Sequence, residues 1–184
     1  RPEQIISSIQ QAIQIMLDPA DCGPACISLS QDVQGEVFEY PEDFFKERVH
    51  VIRRPKPDDY QIKEAAELIK KSKKPLIISG GGVFYSDATD ELSSFATKHN
   101  IPVTQTVMGY STMKKDHSHY LGAIGGLGGR AANNLSKETD MVIAIGTKLA
   151  DFTTGSWTNF ENPNFKLVSI NAARFDANKH MAQA

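Results

Sequence analysis

The chain has 184 residues, 40% of them hydrophobic and 23% charged, with a formal net charge of −2. That fits one soluble domain of ordinary size, or one domain with an appendage. The near-neutral balance gives no push toward nucleic acid, and the longest apolar runs, such as Met141 to Ile145, fall far short of the roughly 20 residues that cross a bilayer.

Residues 3 to 17 place Ile5, Ile6, Ile9, Ile13 and Met16 at helical spacing, and Asp18-Pro19 stops that helix. Gly23-Pro24 turns the chain into a short apolar strand, Ala25 to Leu29. Cys22 and Cys26 read as one turn cysteine and one core cysteine, because no further zinc ligands stand nearby. Sparse cysteine, and no signal-peptide pattern after Arg1, fit a cytoplasmic enzyme, processed or cut from something longer. Pro41 to Pro57 mixes charges with prolines and reads as a linker.

Beyond it the rhythm changes. Asp58 and Gln61 have the spacing of a capping box, Ile62, Ala65, Ala66 and Ile69 form one stripe, and Glu67 and Lys71 can pair outside. Lys73-Lys74-Pro75 ends this helix. The strand Leu76 to Ser79 runs into Gly80, Gly81 and Gly82, and Ser86 or Asp87 caps a helix carrying Ala88, Leu92, Phe95 and Ala96. Ile101 to Thr106 is the next strand, Gly122 to Gly129 a second glycine-rich loop, and Arg130 to about Glu138 a helix. Strands Met141 to Ile145 and Leu167 to Ile170 end at Gly146 and Asn171. Such alternation predicts an α/β fold with a parallel sheet covered on both faces. Its strand C-termini then share one rim, and open α/β sheets bind ligands there.

The glycine loops admit two readings. A dinucleotide fingerprint needs a third glycine and a ribose-binding acid, but Tyr85 stands at the former position and the next strand offers Gln105. The main helix also starts several residues late. Glycines still allow close approach of an anion to the backbone. The loop with Gly125 and Gly126 is either such a cradle or a flexible crossing loop. Asp116, His117 and His119 lack a third strong metal ligand. No nucleophile elbow, P-loop or HExxH occurs, so the chain reads as a binding domain without its own reaction centre.

"GPACISLSQDVQ" (23 to 34), "KKPLIISGGGV", "IPVTQTVMG", "DHSHYLGAIG", "TDMVIAIGTKLAD" and "LVSINAARFDANKH" resemble, in order, motifs of the thiamine-diphosphate enzymes typified by acetolactate synthase. The resemblance covers nearly the whole chain. It implies that residues 1–40 end a pyrimidine-binding domain, 41–57 link, and 58–184 form a Rossmann-like central domain with helices on both faces. Gly80, Thr106, Gly146 and Asn171 fall at strand ends on the shared rim, and with Gly81, Gly82, Gly109, Gly125 and Gly126 they are the candidate cofactor-binding residues. The resemblance implies thiamine diphosphate and Mg²⁺ for the whole enzyme, held by pyrimidine- and pyrophosphate-binding domains missing here, and a homo-oligomer. The fragment itself is expected to be inactive and to bind neither cofactor, with no catalytic residue and no metal ligand of its own. The texture of "QDVQGEVFEYPEDFF" and "TTGSWTNF" resembles the branch that opens a cyclic 1,2-diketone by hydrolysing a carbon–carbon bond in myo-inositol breakdown.

Departures from the pattern argue against flavin. Where flavin-binding relatives read G-x-R-F-D-D-R, this chain has Lys148, Leu149, Ala150, Asp151 and Phe152. Where relatives read I-D-I-D, it has Ile170-Asn171-Ala172-Ala173. The triple glycine is therefore expected to be the fold's turn and not a working phosphate cradle. The alternatives are a nucleotide-binding regulatory module using Gly80 to Gly82, Gly125, Gly126 and Asn171, or a carboligase parent. The strand Ala25 to Leu29, cut from its sheet, is expected to pack on the central domain or pair with a second copy.

Overall fold

The structure is a computed structural model describing residues 1–184. It forms two units, Arg1–Pro55 and Lys56–Ala184.

In the first unit, helix α1 (Gln4–Leu17) follows the predicted period but buries no side chain fully. Asp18 ends it. Its carboxylate accepts from the amides of Ala20 and Asp21 at 2.7 and 2.8 Å, which holds its pKa below the usual carboxylate value. The expected strand Ala25 to Leu29 does not form: these residues belong to no ladder, and Leu29 is 53% exposed. A strand is stabilised by its neighbours, and no other strand lies in this unit. Cys26 is accordingly exposed, not a core cysteine. Single-turn 3-10 helices cover Val33–Gly35 and Glu42–Phe45. Phe38, Phe44 and Phe45 cluster round Tyr40 at centroid distances of 4.9 to 6.1 Å, and the Tyr40 hydroxyl donates to the carbonyl of Pro2.

The second unit begins with α2 (Asp59–Lys71). Asp58 is its N-cap residue, but its side chain makes no capping bond, so the expected box with Gln61 is absent. Glu67 pairs with Lys70, one residue before the expected Lys71, at 2.8 Å. Strand β1 (Pro75–Ser79) follows, then a five-residue helix α3 (Gly81–Tyr85) that starts at once after Gly80, and then α4 (Thr89–His99). A late helix start is thus true of α4 alone. The residue at the α4 N-cap is Ala88, not Ser86 or Asp87. Strand β2 (Val103–Gln105) leads through a 3-10 turn at Val107–Gly109 to β3 (Tyr120–Ala123). β3 occupies residues assigned from sequence to loops. Helix α5 (Arg130–Glu138), strand β4 (Met141–Ile145), the short α6 (Asp151–Thr154), strand β5 (Lys166–Ile170) and the short α7 (Arg174–Asn178) complete the unit.

All five strands are parallel, in the order β3-β2-β1-β4-β5. This is an open Rossmann-like sheet, and β1 and β4 flank the point where the winding reverses. Strand side chains alternate between two cores. Ile77, Val103, Ile143 and Val168 pack with Leu92 and Ala96 of α4 and with Ala65, Leu68 and Ile69 of α2. Leu76, Ile78, Val142, Ala144 and Leu167 pack with Ala132 and Leu135 of α5, and with Trp157, Phe160 and Phe165. Both faces are covered, which is why the central strands read as unbroken apolar runs. Ile62, assigned to the α2 stripe, is 51% exposed.

Candidate functional site

The strand C-termini place Gly80, Thr106, Gly146 and Asn171 along one rim. The glycines there press backbone on backbone. A Cβ on Gly82 would lie 2.6 Å from Gly146 Cα, and one on Gly146 equally close to Gly82 Cα. A Cβ on Gly80 would collide with the Gly146 carbonyl, and one on Gly109 with the Ser79 carbonyl. Gly81 faces the Met108 carbonyl at 2.9 Å from such a Cβ. Gly125 and Gly126 belong to a second group, where Gly125 abuts the Phe152 carbonyl and the Gly126 amide donates to it at 2.8 Å. The candidate glycines therefore fall into two packing groups.

The amides tell the same story. Gly80 donates to Ile145 O, Gly82 to Gly146 O, and Gly146 to Ile170 O, at 2.8 to 2.9 Å. Gly109 donates to the carbonyl and hydroxyl oxygens of Thr106, and Gly125 to the Asn133 side chain. An amide already bonded inside the fold has nothing left for a phosphate oxygen. Asn171 is also occupied: its amide nitrogen donates to Thr147 O at 3.0 Å, and its oxygen accepts from the Ala173 amide. It ties the end of β5 to the loop after β4.

The histidines of residues 116 to 122 are held likewise. His119 Nε2 meets Asn100 Oδ1 at 2.9 Å and His117 Nε2 meets Thr97 Oγ1 at 3.3 Å, joining the start of β3 to the end of α4. No three His, Cys, Asp or Glu side chains stand together as metal ligands.

Sequence reasoning missed three features. Ser79, Thr104 and Thr112 form a buried hydroxyl network, with Ser79 Oγ 2.7 Å from Thr112 Oγ1 and 3.2 Å from Thr104 O. Hydroxyls inside apolar runs were the available signal. Gln105, 4% exposed, has an Oε1 with no hydrogen-bond partner. The rim also carries large apolar side chains after every strand: Phe84, Met108, Leu127, Phe152 and Phe175, from 59% to 79% exposed.

The model of the thiamine pyrophosphate enzyme central domain matches residues 62–184. The chain belongs to the thiamine pyrophosphate enzymes. Over 179 residues, 97% of its length, it is 49% identical to the 3D-(3,5/4)-trihydroxycyclohexane-1,2-dione hydrolase of Clostridium botulinum (strain Eklund 17B / Type B). The proteins of the same name from Bacillus licheniformis and Bacillus subtilis (strain 168) are 47% and 46% identical over the same length. The chain spans 28% of each relative. For a thiamine pyrophosphate enzyme, the notable feature of this central domain is an inward-bonded rim. The amides of Gly80, Gly82, Gly109, Gly125, Gly126 and Gly146 are all committed to acceptors inside the fold. No helix is long and apolar enough to cross a membrane.

Proposed function

We propose that this chain is the scaffold portion of a thiamine-diphosphate- and Mg²⁺-dependent hydrolase that opens a cyclic 1,2-diketone in myo-inositol breakdown. One observation carries the reading: 49% identity to a trihydroxycyclohexanedione hydrolase over 97% of the chain, the first unit included. In the net reaction the bond between the two carbonyl carbons breaks. Water's hydroxyl ends on one carbon as a carboxylic acid, and its hydrogen on the other as an aldehyde. The residues described here take no chemical step in it. The whole enzyme holds its cofactor on pyrimidine- and pyrophosphate-binding domains outside this chain, works as a homo-oligomer in the cytoplasm, and uses no flavin. The internally bonded glycine amides support a rim that packs and does not bind phosphate, against the regulatory nucleotide-module reading. The exposed Phe84, Met108, Leu127, Phe152 and Phe175 support the same rim as a contact face for the remaining domains or a second subunit.

The test has two parts. The full-length enzyme is expected to open trihydroxycyclohexane-1,2-dione only with thiamine diphosphate and Mg²⁺ present. Titration calorimetry of the 184-residue chain with the same pair is expected to give no binding heat. Tight cofactor binding by the chain alone, or a full-length enzyme that joins keto acids and hydrolyses nothing, overturns the reading.

A further inference from the structure

Most exposed large apolar side chains of the second unit stand on the loops that follow the five strands. Phe84, Met108, Tyr110, Leu127, Phe152 and Phe175 are 59% to 79% exposed there, and each strand's loop supplies at least one. At roughly 150–200 Å² per large side chain, they leave on the order of 700–800 Å² open to water. The largest apolar patch on an ordinary monomer is about 300–600 Å². One side of a stable protein–protein interface buries about 800 Å². The rim therefore has the size of a half-interface.

The charges around this surface select what covers it. Lys114, Lys115, Arg130, Lys148, Arg174 and Lys179 stand on the same loops, against Asp87, Asp116, Asp151 and Asp176. Asp176 is itself held by Lys148 at 3.8 Å and Lys179 at 2.9 Å. Two such rims would bring like charges together, so the rim does not fit a second rim. Residues 31–47 have the opposite character. They hold Asp32, Glu36, Glu39, Glu42, Asp43 and Glu47 with one base, Lys46, which pairs with Asp43. These acids interleave with the aromatic cluster round Tyr40, in which Phe45 is 71% exposed, and with Val37, which is 100% exposed. An apolar centre bordered by charge is the anatomy of a docking surface. Residues 48–56 reverse the sign with Arg48, Arg53, Arg54 and Lys56, which bounds the complement at Glu47.

We propose that residues 31–47 of one copy of this chain seat on the rim of a second copy. The aromatic cluster meets the apolar rim residues, and the carboxylates face the rim's lysines and arginines. Each copy giving its segment to the other makes a closed pair. This rests on the rim as a contact face and names its occupant. It does not depend on the parent's reaction.

Sedimentation equilibrium of the 184-residue chain at low salt is expected to show a dimer. About 0.5 M NaCl should weaken it, because screening acts on the charged border. Phe175→Glu on the rim and Phe45→Glu on the segment should each raise the dissociation constant about tenfold or more, as loss of an aromatic anchor does. Lys98→Ala, on α4, should leave it unchanged. Phe45→benzoylphenylalanine, irradiated in a mixture of light and heavy-isotope copies, should cross-link to rim peptides of the other isotope. That cross-link carries the test if a charged variant fails to fold. A chain that is monomeric at every concentration, which leaves the rim to the parent's other domains, overturns the proposal. So do cross-links confined to one copy, or a dimer indifferent to both phenylalanine substitutions. The hydrolase reading fails separately, on cofactor dependence of the full-length enzyme.

Discussion

Gly82 and Gly146, separated by 63 residues of chain, meet backbone to backbone where the sheet's winding reverses: the Gly82 amide donates to the Gly146 carbonyl at 2.9 Å. Gly146 has φ 59°, and a Cβ on either residue would lie 2.6 Å from the other's Cα. The loops after β1 and β4 are joined here by main chain alone. Gly146→Ala should therefore combine left-handed strain of about 1–2 kcal/mol with an overpacking cost of about 1–3 kcal/mol. Urea unfolding of the 184-residue chain measures it. A loss under about 0.5 kcal/mol would mean the two strands' loops separate easily.

At the opposite end of the sheet, Asp140 ties α2 to β4. Its carboxylate accepts from the Ser72 hydroxyl and from the Lys73 and Lys74 amides, the latter two at 2.8 and 3.0 Å. Partial burial raises its pKa, but these bonds together outweigh it and the net shift is downward. The folded value thus lies below the unfolded one. The stabilisation is complete above the unfolded value near 3.8 and is lost as pH falls through the folded value. Asp140→Asn should cost about 1 kcal/mol at neutral pH, the charged-acceptor contribution discounted for solvent screening. The difference from wild type should shrink in acid. A gap that persists at the lowest pH where the chain folds would remove the charge from this account.

The Ser79–Thr112 hydroxyl pair is buried and shares its bonds with the carbonyls of Thr104 and Gly109. A double-mutant cycle of Ser79→Ala and Thr112→Val should return a coupling of about 0.5–1.5 kcal/mol. Additive losses would show that each hydroxyl is satisfied without the other.

Gln105→Leu should raise stability by about 1 kcal/mol, because it removes an unpaired buried acceptor and keeps most of the volume. Differential scanning calorimetry reads this as a higher Tm. A drop of similar size would mean that the carboxamide is satisfied in the free protein, for instance by water.

Much of this architecture is written in short-range patterns. Leu76 to Ser79 and Met141 to Ile145 read as buried strands because a parallel sheet covered on both faces needs apolar side chains on each. α1 and α2 were legible from period and terminators, and α5 from its place between the second glycine loop and the strand Met141 to Ile145. The order of the motifs carried the family, since the same elements recur in the same sequence. Strand β3 was not legible: it is a half-buried edge strand, and Gly122 inside it reads as a loop residue. The Ala25 to Leu29 run failed in the other direction, because apolar alternation specifies a strand only where another strand is present to receive its hydrogen bonds.

By itself the amino-acid order determined the alternation of helices and parallel strands from α2 onward, the burial of β1 and β4, and that the glycines stand at strand ends. Only the tertiary structure decided what those glycines do. Whether Gly82 faces a ligand or Gly146, and whether Gln105 finds a partner, depends on atoms brought together from distant parts of the chain. Local propensity carries no information about such contacts, because the free energy that selects them comes from packing and from the pairing of buried polar groups.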